Sequence, residues 1–180
     1  AVADIALTTG DTTTATDAAR RLVTAEPRSI DAALLLGRAL VAGGGFDEAK
    51  TVYARAVSLD ATEPEALAGL ATCELALGAY AEAEGHFATL TTLAGHTREG
   101  SPSTVGRLGR AEALLGLGRV ADAKVQLEGL PVAERARPRA QVAAARIALV
   151  DGRPGEAVTL IRAQAESESA PTDLIVLYGE

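Results

Sequence analysis

The stretch GRALVAGGGFDEAKTVYARAV (Gly37–Val57) decides the fold. Three consecutive glycines stand between two segments whose apolar residues recur at helical spacing. Before them come Ala33, Leu36, Leu40 and Val41, and after them Phe46, Ala49, Tyr53, Ala56 and Val57. Both sets follow the one-face pattern of an amphipathic helix, which predicts helices over about 30–43 and 46–59. Glycine ends the first helix because it enters the left-handed C-terminal conformation without a Cβ clash. Asp47 and Glu48 then fall in the first turn of the second helix, where acids suit the positive end of the dipole. A phosphate-cradling loop would need a preceding strand and a GK[ST] ending. Gly43–Gly45 therefore reads as a turn between paired helices.

The pattern recurs. Glycine followed five residues later by alanine occurs at Gly10/Ala15, Gly44/Ala49, Gly78/Ala83, Gly118/Ala123 and Gly152/Ala157, at steps of 34, 34, 40 and 34 residues. Tyr53 recurs as Phe87, Leu127 and Ile161, Leu36 as Leu70, and Phe46 as Tyr80 and Val120. A constant period of this length marks a repeat architecture. Each alanine faces the first helix of its pair, where a larger side chain would push the axes apart. Further helices are predicted over about 64–77, 80–93, 104–117, 120–129, 138–151 and 154–167. Thr62 and Glu65 read as a capping box with Pro64 in the first turn, and Pro131 shortens the helix before it. The polar connection GHTREGSPS (Gly95–Ser103) accounts for the 40-residue step. The organisation expected is one array: a partial unit 1–28, repeats at about 29–63, 64–103, 104–137 and 138–171, and the start of a further helix at 172–180.

Bulk properties agree. The 180 residues are 48% hydrophobic but only 3% aromatic, and small apolar side chains suit close helix contacts. A formal charge of -7 argues against nucleic acid, whose phosphates need a basic surface. No apolar run approaches the length of a membrane span. The chain begins AVADIAL and ends LIVLYGE inside an apolar pattern, so both ends read as cut from a longer chain. A signal peptide or lipid anchor would lie upstream. Arg far outnumbers Lys and Asn is absent, the habit of a G+C-rich bacterial genome.

The pattern Leu36-Gly37, Gly44, Phe46, Ala49, Tyr53, Ala56, its recurrence at Leu70-Ala71, Gly78, Tyr80, Ala83, Phe87, and Pro27 closing the first unit resemble the tetratricopeptide repeat. The likeness covers nearly the whole chain. It departs at the first helix, where Ala33 and Leu67 replace the usual large aromatic, and at Arg107 and Arg110, where the family is usually apolar. The resemblance implies an all-α fold, a right-handed solenoid of antiparallel helix pairs whose concave groove binds proteins or peptides.

The resemblance also implies that positions two, five and nine of each first helix face the groove. These are Asp31, Glu65, Val105 and Arg139, then Leu34, Ala68, Leu108 and Val142, then Arg38, Thr72, Glu112 and Arg146. They form a row of small apolar residues flanked by polar ones, running acidic to basic. Such a face suits an amphipathic helix or an extended segment. Family members that clamp a C-terminal carboxylate use Asn together with Lys or Arg, and without Asn that clamp does not carry over. Residues 1–90 hold 6 basic and 13 acidic side chains, while residues 91–180 hold 11 of each. Arg98, Arg107, Arg110, Arg119, Lys124, Arg135, Arg137, Arg139 and Arg146 form a mild basic patch against five acids, suited to an acidic partner, to the acidic half of another copy or simply to water.

Catalytic material is thin. His86 reads as a helix-surface residue and His96 as a loop residue, and no further Cys or His completes a zinc site. Cys73 reads as a buried structural thiol. Glu82 with Glu84, and Glu166 with Glu168, lie two apart on helices and read as solvated charge. No catalytic, cofactor or metal site is expected. The reading is a non-enzymatic scaffold binding a peptide or helix of a partner protein, in assembly of a bacterial secretion or pilus machine. A homo-oligomer is compatible with it. The alternatives are a sensor module of a transcription regulator or kinase, and the non-catalytic region of an enzyme. Periplasmic, outer-membrane-associated and cytoplasmic placements all stay open.

Overall fold

The computed structural model describes residues 6–93 and 102–165. The helices, in chain order, are α1 (Thr12–Ala25), α2 (Ile30–Ala42), α3 (Phe46–Leu59), α4 (Pro64–Ala76), α5 (Tyr80–Leu93), α6 (Pro102–Gly116), α7 (Val120–Glu128), α8 (Val132–Arg135), α9 (Pro138–Val150) and α10 (Pro154–Ala165). No strand occurs among the described residues. The chain divides into two compact units, residues 1–106 and 107–180, with the boundary inside α6.

In the first unit each helix packs on its neighbours in sequence, α1 to α5, and α2 also touches α4. Its core gathers Ala33, Leu36, Leu40, Ala49, Tyr53, Ala56, Leu70 and Cys73. In the second unit α9 packs on α7, α8 and α10. Ala111 and Leu114 of α6 join Ala123, Leu127, Leu130, Ala140, Ala143 and Ile147 in its core. The first helix of each hairpin (α2, α4, α6, α9) is termed the A helix below, and the second (α3, α5, α7, α10) the B helix.

The aligned glycines are the hairpin turns. Gly10, Gly44, Gly78, Gly118 and Gly152 all have positive φ, between 71° and 78°. The residue after each donates its amide to a carbonyl five positions back: Asp11 to Ala6, Gly45 to Leu40, Ala79 to Glu74, Arg119 to Leu114 and Arg153 to Ala148, at 2.7–2.9 Å. This hydrogen bond satisfies a carbonyl left over at the helix end and turns the chain back on itself. Only the middle glycine of Gly43–Gly45 is left-handed; Gly43 caps α2 at φ -87°. The alanines five residues on are sealed between the paired helices, at 0–2% exposure for Ala15, Ala49, Ala83, Ala123 and Ala157.

A Cβ at Gly44 would meet no heavy atom within 4 Å, so the glycine is there for its backbone conformation alone. Gly44→Ala is therefore expected to cost about 1–2 kcal/mol, the strain of a left-handed alanine. A urea midpoint compared with wild type checks this.

Helix ends fall within a residue or two of the spans expected from sequence. The start of α4 differs. Pro64 occupies the first helical position, so the cap falls on the residue before it: Glu63 accepts from the Glu65 amide. Thr62 does not form the expected capping box. Its amide and hydroxyl both donate to Asp60 Oδ1, at 2.8 and 2.7 Å, and these bonds hold the Asp60 carboxyl below its usual range. Asp11 and Ser29 cap α1 and α2 by accepting from the amides of Thr14 and Ala32.

After the shortened α7 the sequence reading has no helix, yet Val132–Arg135 form α8. Leu130, buried in the second unit's core, pulls the chain inward, and the Pro131 carbonyl then accepts the amides of Glu134 and Arg135. The connection Gly95–Ser103 falls mostly outside the described residues, as do His96, Arg98, the Glu166/Glu168 pair and the further helix at 172–180.

Candidate partner-binding face

The second and ninth positions of successive A helices meet as ion pairs. Arg38, ninth on α2, places Nη1 2.9 Å from Oε1 of Glu65, second on α4. In the other unit Glu112, on α6 and ninth counted from the repeat register at residue 104, meets Arg139, second on α9, in a two-pronged contact at 2.6 and 3.2 Å. Both pairs span 27 residues, and the second reverses the sign of the first. They form rungs between neighbouring A helices and remain partly open to water. Four of the charges expected on the groove thus neutralise each other in pairs, one pair within each unit.

The other expected positions are less uniform. Asp31 and Arg146 are exposed and have no ion-pair partner among the described residues. Val105 is exposed, and Ala68, Thr72, Leu108 and Val142 are half-buried. The Thr72 hydroxyl is already donated to the Ala68 carbonyl at 2.7 Å. Leu34 departs from expectation: at 7% exposure it belongs to the core of the first unit, because that core closes over the fifth position of α2. Leu34 therefore offers almost no surface to a partner.

The Arg38–Glu65 rung lies over Tyr53, which the B helix α3 sends between α2 and α4. The ring packs where side chains of Gly37 and Gly69 would otherwise be. Burial raises the Tyr53 phenol well above its ordinary pKa, and the nearby Cys73 and Glu65 add to that. Sequence reasoning placed Tyr53 in the core but did not foresee that Gly69 is its second wall.

Three residues of the mild basic patch are paired internally. Arg119 pairs with Asp122 at 2.7 Å, Arg137 with Glu134 at 2.9 Å, and Arg139 with Glu112. The guanidinium of Arg107 lies against Gly129.

His86 is not a free surface histidine. Its Nδ1 is 2.7 Å from Oε2 of Glu74, whose side chain is only 4% exposed. Cys73 is buried, and burial, reinforced by Glu74, pushes its thiol up to about 11. A nucleophilic cysteine needs the opposite shift. Among the described residues no three His, Cys, Asp or Glu side chains are placed to hold a metal ion. No described helix is long and apolar enough to cross a membrane.

Residues 34–95, which take in most of α2 and all of α3, α4 and α5, match the family model for the tetratricopeptide repeat. Within that span the chain carries tetratricopeptide repeats. Solved structures of such proteins share its fold. The type IV pilus biogenesis factor PilW is 20% identical with a TM-score of 0.80, covering 97% of this chain and 79% of that one. TTC0263, a thermophilic tetratricopeptide-repeat protein of Thermus thermophilus, is 18% identical with a TM-score of 0.75, covering 98% and 93%. MamA is 20% identical with a TM-score of 0.72, covering 90% and 91%. No curated protein matches in sequence. Identities this low speak for the fold alone, and a fold does not by itself name a function.

Proposed function

We propose that this chain is a non-catalytic scaffold that seats a peptide or helix of a partner protein against the exposed face of its A helices. The observation that carries this reading is the pair of rungs, Arg38–Glu65 and Glu112–Arg139. Each sets charges of fixed sign on the A helices of its own unit, with half-buried Ala68 and Thr72 beside one and Leu108 and Val142 beside the other. Apolar contacts would supply affinity, and the rung edges would orient the bound segment. The setting we propose is assembly of a bacterial multiprotein machine of the pilus or secretion kind. Likeness of fold to a pilus biogenesis factor is what supports that narrower setting.

The test is affinity capture from bacterial lysate and envelope fractions, using wild type beside an Asp31→Arg/Ala68→Arg chain verified as folded by circular dichroism. Both substitutions lie on the A-helix face and leave the rungs intact. A partner held by wild type and lost by the variant is the expected result. Equal capture by both would move the site off this face. A captured set of regulators or kinases rather than envelope assembly proteins would overturn the narrower setting.

A further inference from the structure

Within the first unit, α1 and the end of α2 enclose a cleft of about 270 Å³. Thr12, Thr16, Asp17 and Arg20 line it from α1, and Leu40 and Gly43 from the other side. The cleft exists because two places in the repeat carry little side chain. One hairpin on, at the 34-residue step, Leu77 stands where Gly43 is and Phe46 where Thr12 is. Backbone geometry does not demand the glycine. Gly43 and Leu77 cap α2 and α4 with the same angles, φ -87° and -86° and ψ 1° in both. A Cβ at Gly43 would meet Thr12 Cβ at an ordinary 3.8 Å. The fold would accept a side chain here, and the sequence leaves the space open.

The polar lining is unspent. Seven described helical threonines, among them Thr51, Thr72 and Thr159, donate their hydroxyls to the carbonyl four residues back. Thr16 has such a carbonyl in Thr12, yet its hydroxyl makes no hydrogen bond among the described residues. The carboxylate of Asp17 makes none either, and acts on Arg20 only through space. Arg20 itself is held by both carboxylate oxygens of Glu48, at 2.7 and 2.9 Å. Asp17 and Glu48 against Arg20 leave the cleft one negative charge in excess. The positive end of α1 is met by Asp11, whose side chain accepts the Thr14 amide.

We propose that this cleft receives one lysine or arginine side chain of a partner protein. The aliphatic stem lies on Leu40, Gly43 and the threonine methyl groups, in the place that Leu77 takes one hairpin on. The cationic head pairs with Asp17 and donates to the hydroxyl oxygens of Thr13 and Thr16, which also line the cleft. Long basic side chains ordinarily pack in this way, with the stem covered and the charge at the rim. The field of the first unit favours such a partner, since residues 1–90 hold 6 basic against 13 acidic side chains. No rung residue takes part, so this site and the A-helix face stand or fall separately.

The test is a titration of the full chain followed by NMR amide shifts. The probes are blocked alanine–lysine–alanine and alanine–arginine–alanine peptides, beside their norleucine and glutamate counterparts. Saturable shifts at Thr13, Thr16, Asp17 and Gly43 are expected with the basic peptides, and weaker binding with the other two. Asp17→Asn is expected to weaken the basic peptides about threefold to fivefold, the upper weight of an exposed ion pair. Gly43→Leu is expected to abolish the shifts while the chain keeps its folded spectrum. Should that variant unfold, Asp17→Asn, an exposed and isosteric change, still decides. No saturable shift at millimolar basic peptide would overturn the site. Equal binding of the norleucine peptide, tighter binding of the glutamate peptide, or no weakening in Asp17→Asn would overturn the cationic occupant. Shifts that survive in folded Gly43→Leu would overturn the cleft as the place of binding.

Discussion

Gly69→Ala and Gly37→Ala are each expected to destabilise the first unit by about 1–3 kcal/mol, the usual cost of overpacking a filled core. The sign is the informative part. Replacing a helical glycine by alanine ordinarily gains about 1 kcal/mol, because alanine is the best helix former and glycine among the worst. Here the added Cβ would stand 2.4 Å from Cζ of Tyr53 at position 69 and 2.5 Å from the same atom at position 37. The ring cannot move aside easily, since Tyr53 is 3% exposed and closed in by the core around it. Gly85 in α5 is the matched control: a Cβ there meets nothing within 4 Å. Gly85→Ala is expected to raise stability by up to about 1 kcal/mol. Urea unfolding of the three variants checks the contrast. If all three gained stability, the ring would not be wedged between the two helices.

The fold was legible because its geometry admits few residue types at a few places. A left-handed turn needs glycine and a close helix pair needs alanine, so both recur at a fixed period. Gly37 belongs to the same logic: the eighth position of the A helix continues as Ala71, Ala111 and Ala145, each fully buried. Gly69 was not legible, since its neighbours in register are the unlike Leu35, Gly109 and Ala143. What demands glycine there is one tyrosine ring arriving from another helix, a demand that exists only once the helices are stacked. The cap at Glu63 was misread for a local reason, because Pro64 fixes the first turn one residue later than the Thr62–Glu65 spacing implies.

The ion pairs between successive A helices were not legible in the sequence. Register alone placed positions two and nine on one side of the A helices. It did not reveal that they touch across successive helices, because the pairing depends on the stagger between hairpins. With that stagger known, 27-residue spacing between opposite charges becomes a readable signal. Leu34 shows the reverse limit: the fifth position faces the groove side in register, yet core packing covers it.

His86→Val is expected to cost about 2–3 kcal/mol, while Glu74→Leu/His86→Val is expected to be neutral or stabilising. The reasoning starts from register. Glu74 holds the eleventh position of α4, where the other hairpins carry Leu40, Leu114 and Ala148, all buried. His86 holds the seventh position of α5, where α3 and α10 carry the partly buried Val52 and Leu160. The Glu74–His86 contact therefore stands where the α2–α3 and α9–α10 hairpins have an apolar pair, Leu40 with Val52 and Ala148 with Leu160. Glu74 is buried at 3% exposure, and His86 Nδ1 is its hydrogen-bonding partner at 2.7 Å. Removing the histidine alone leaves a buried carboxylate without its partner, a penalty of order 1–3 kcal/mol or more for a charged group. Removing both restores the apolar pattern that the α2–α3 and α9–α10 hairpins use, whereas α7 carries Gln126 at that position, and buried ion pairs are often replaced at no loss by well-packed hydrophobes. Thermal or urea unfolding of the single and double variants decides the matter. If the double variant were no more stable than His86→Val alone, the carboxylate left behind would not be the source of the loss. The pair would then hold α4 and α5 together by packing that leucine and valine cannot reproduce.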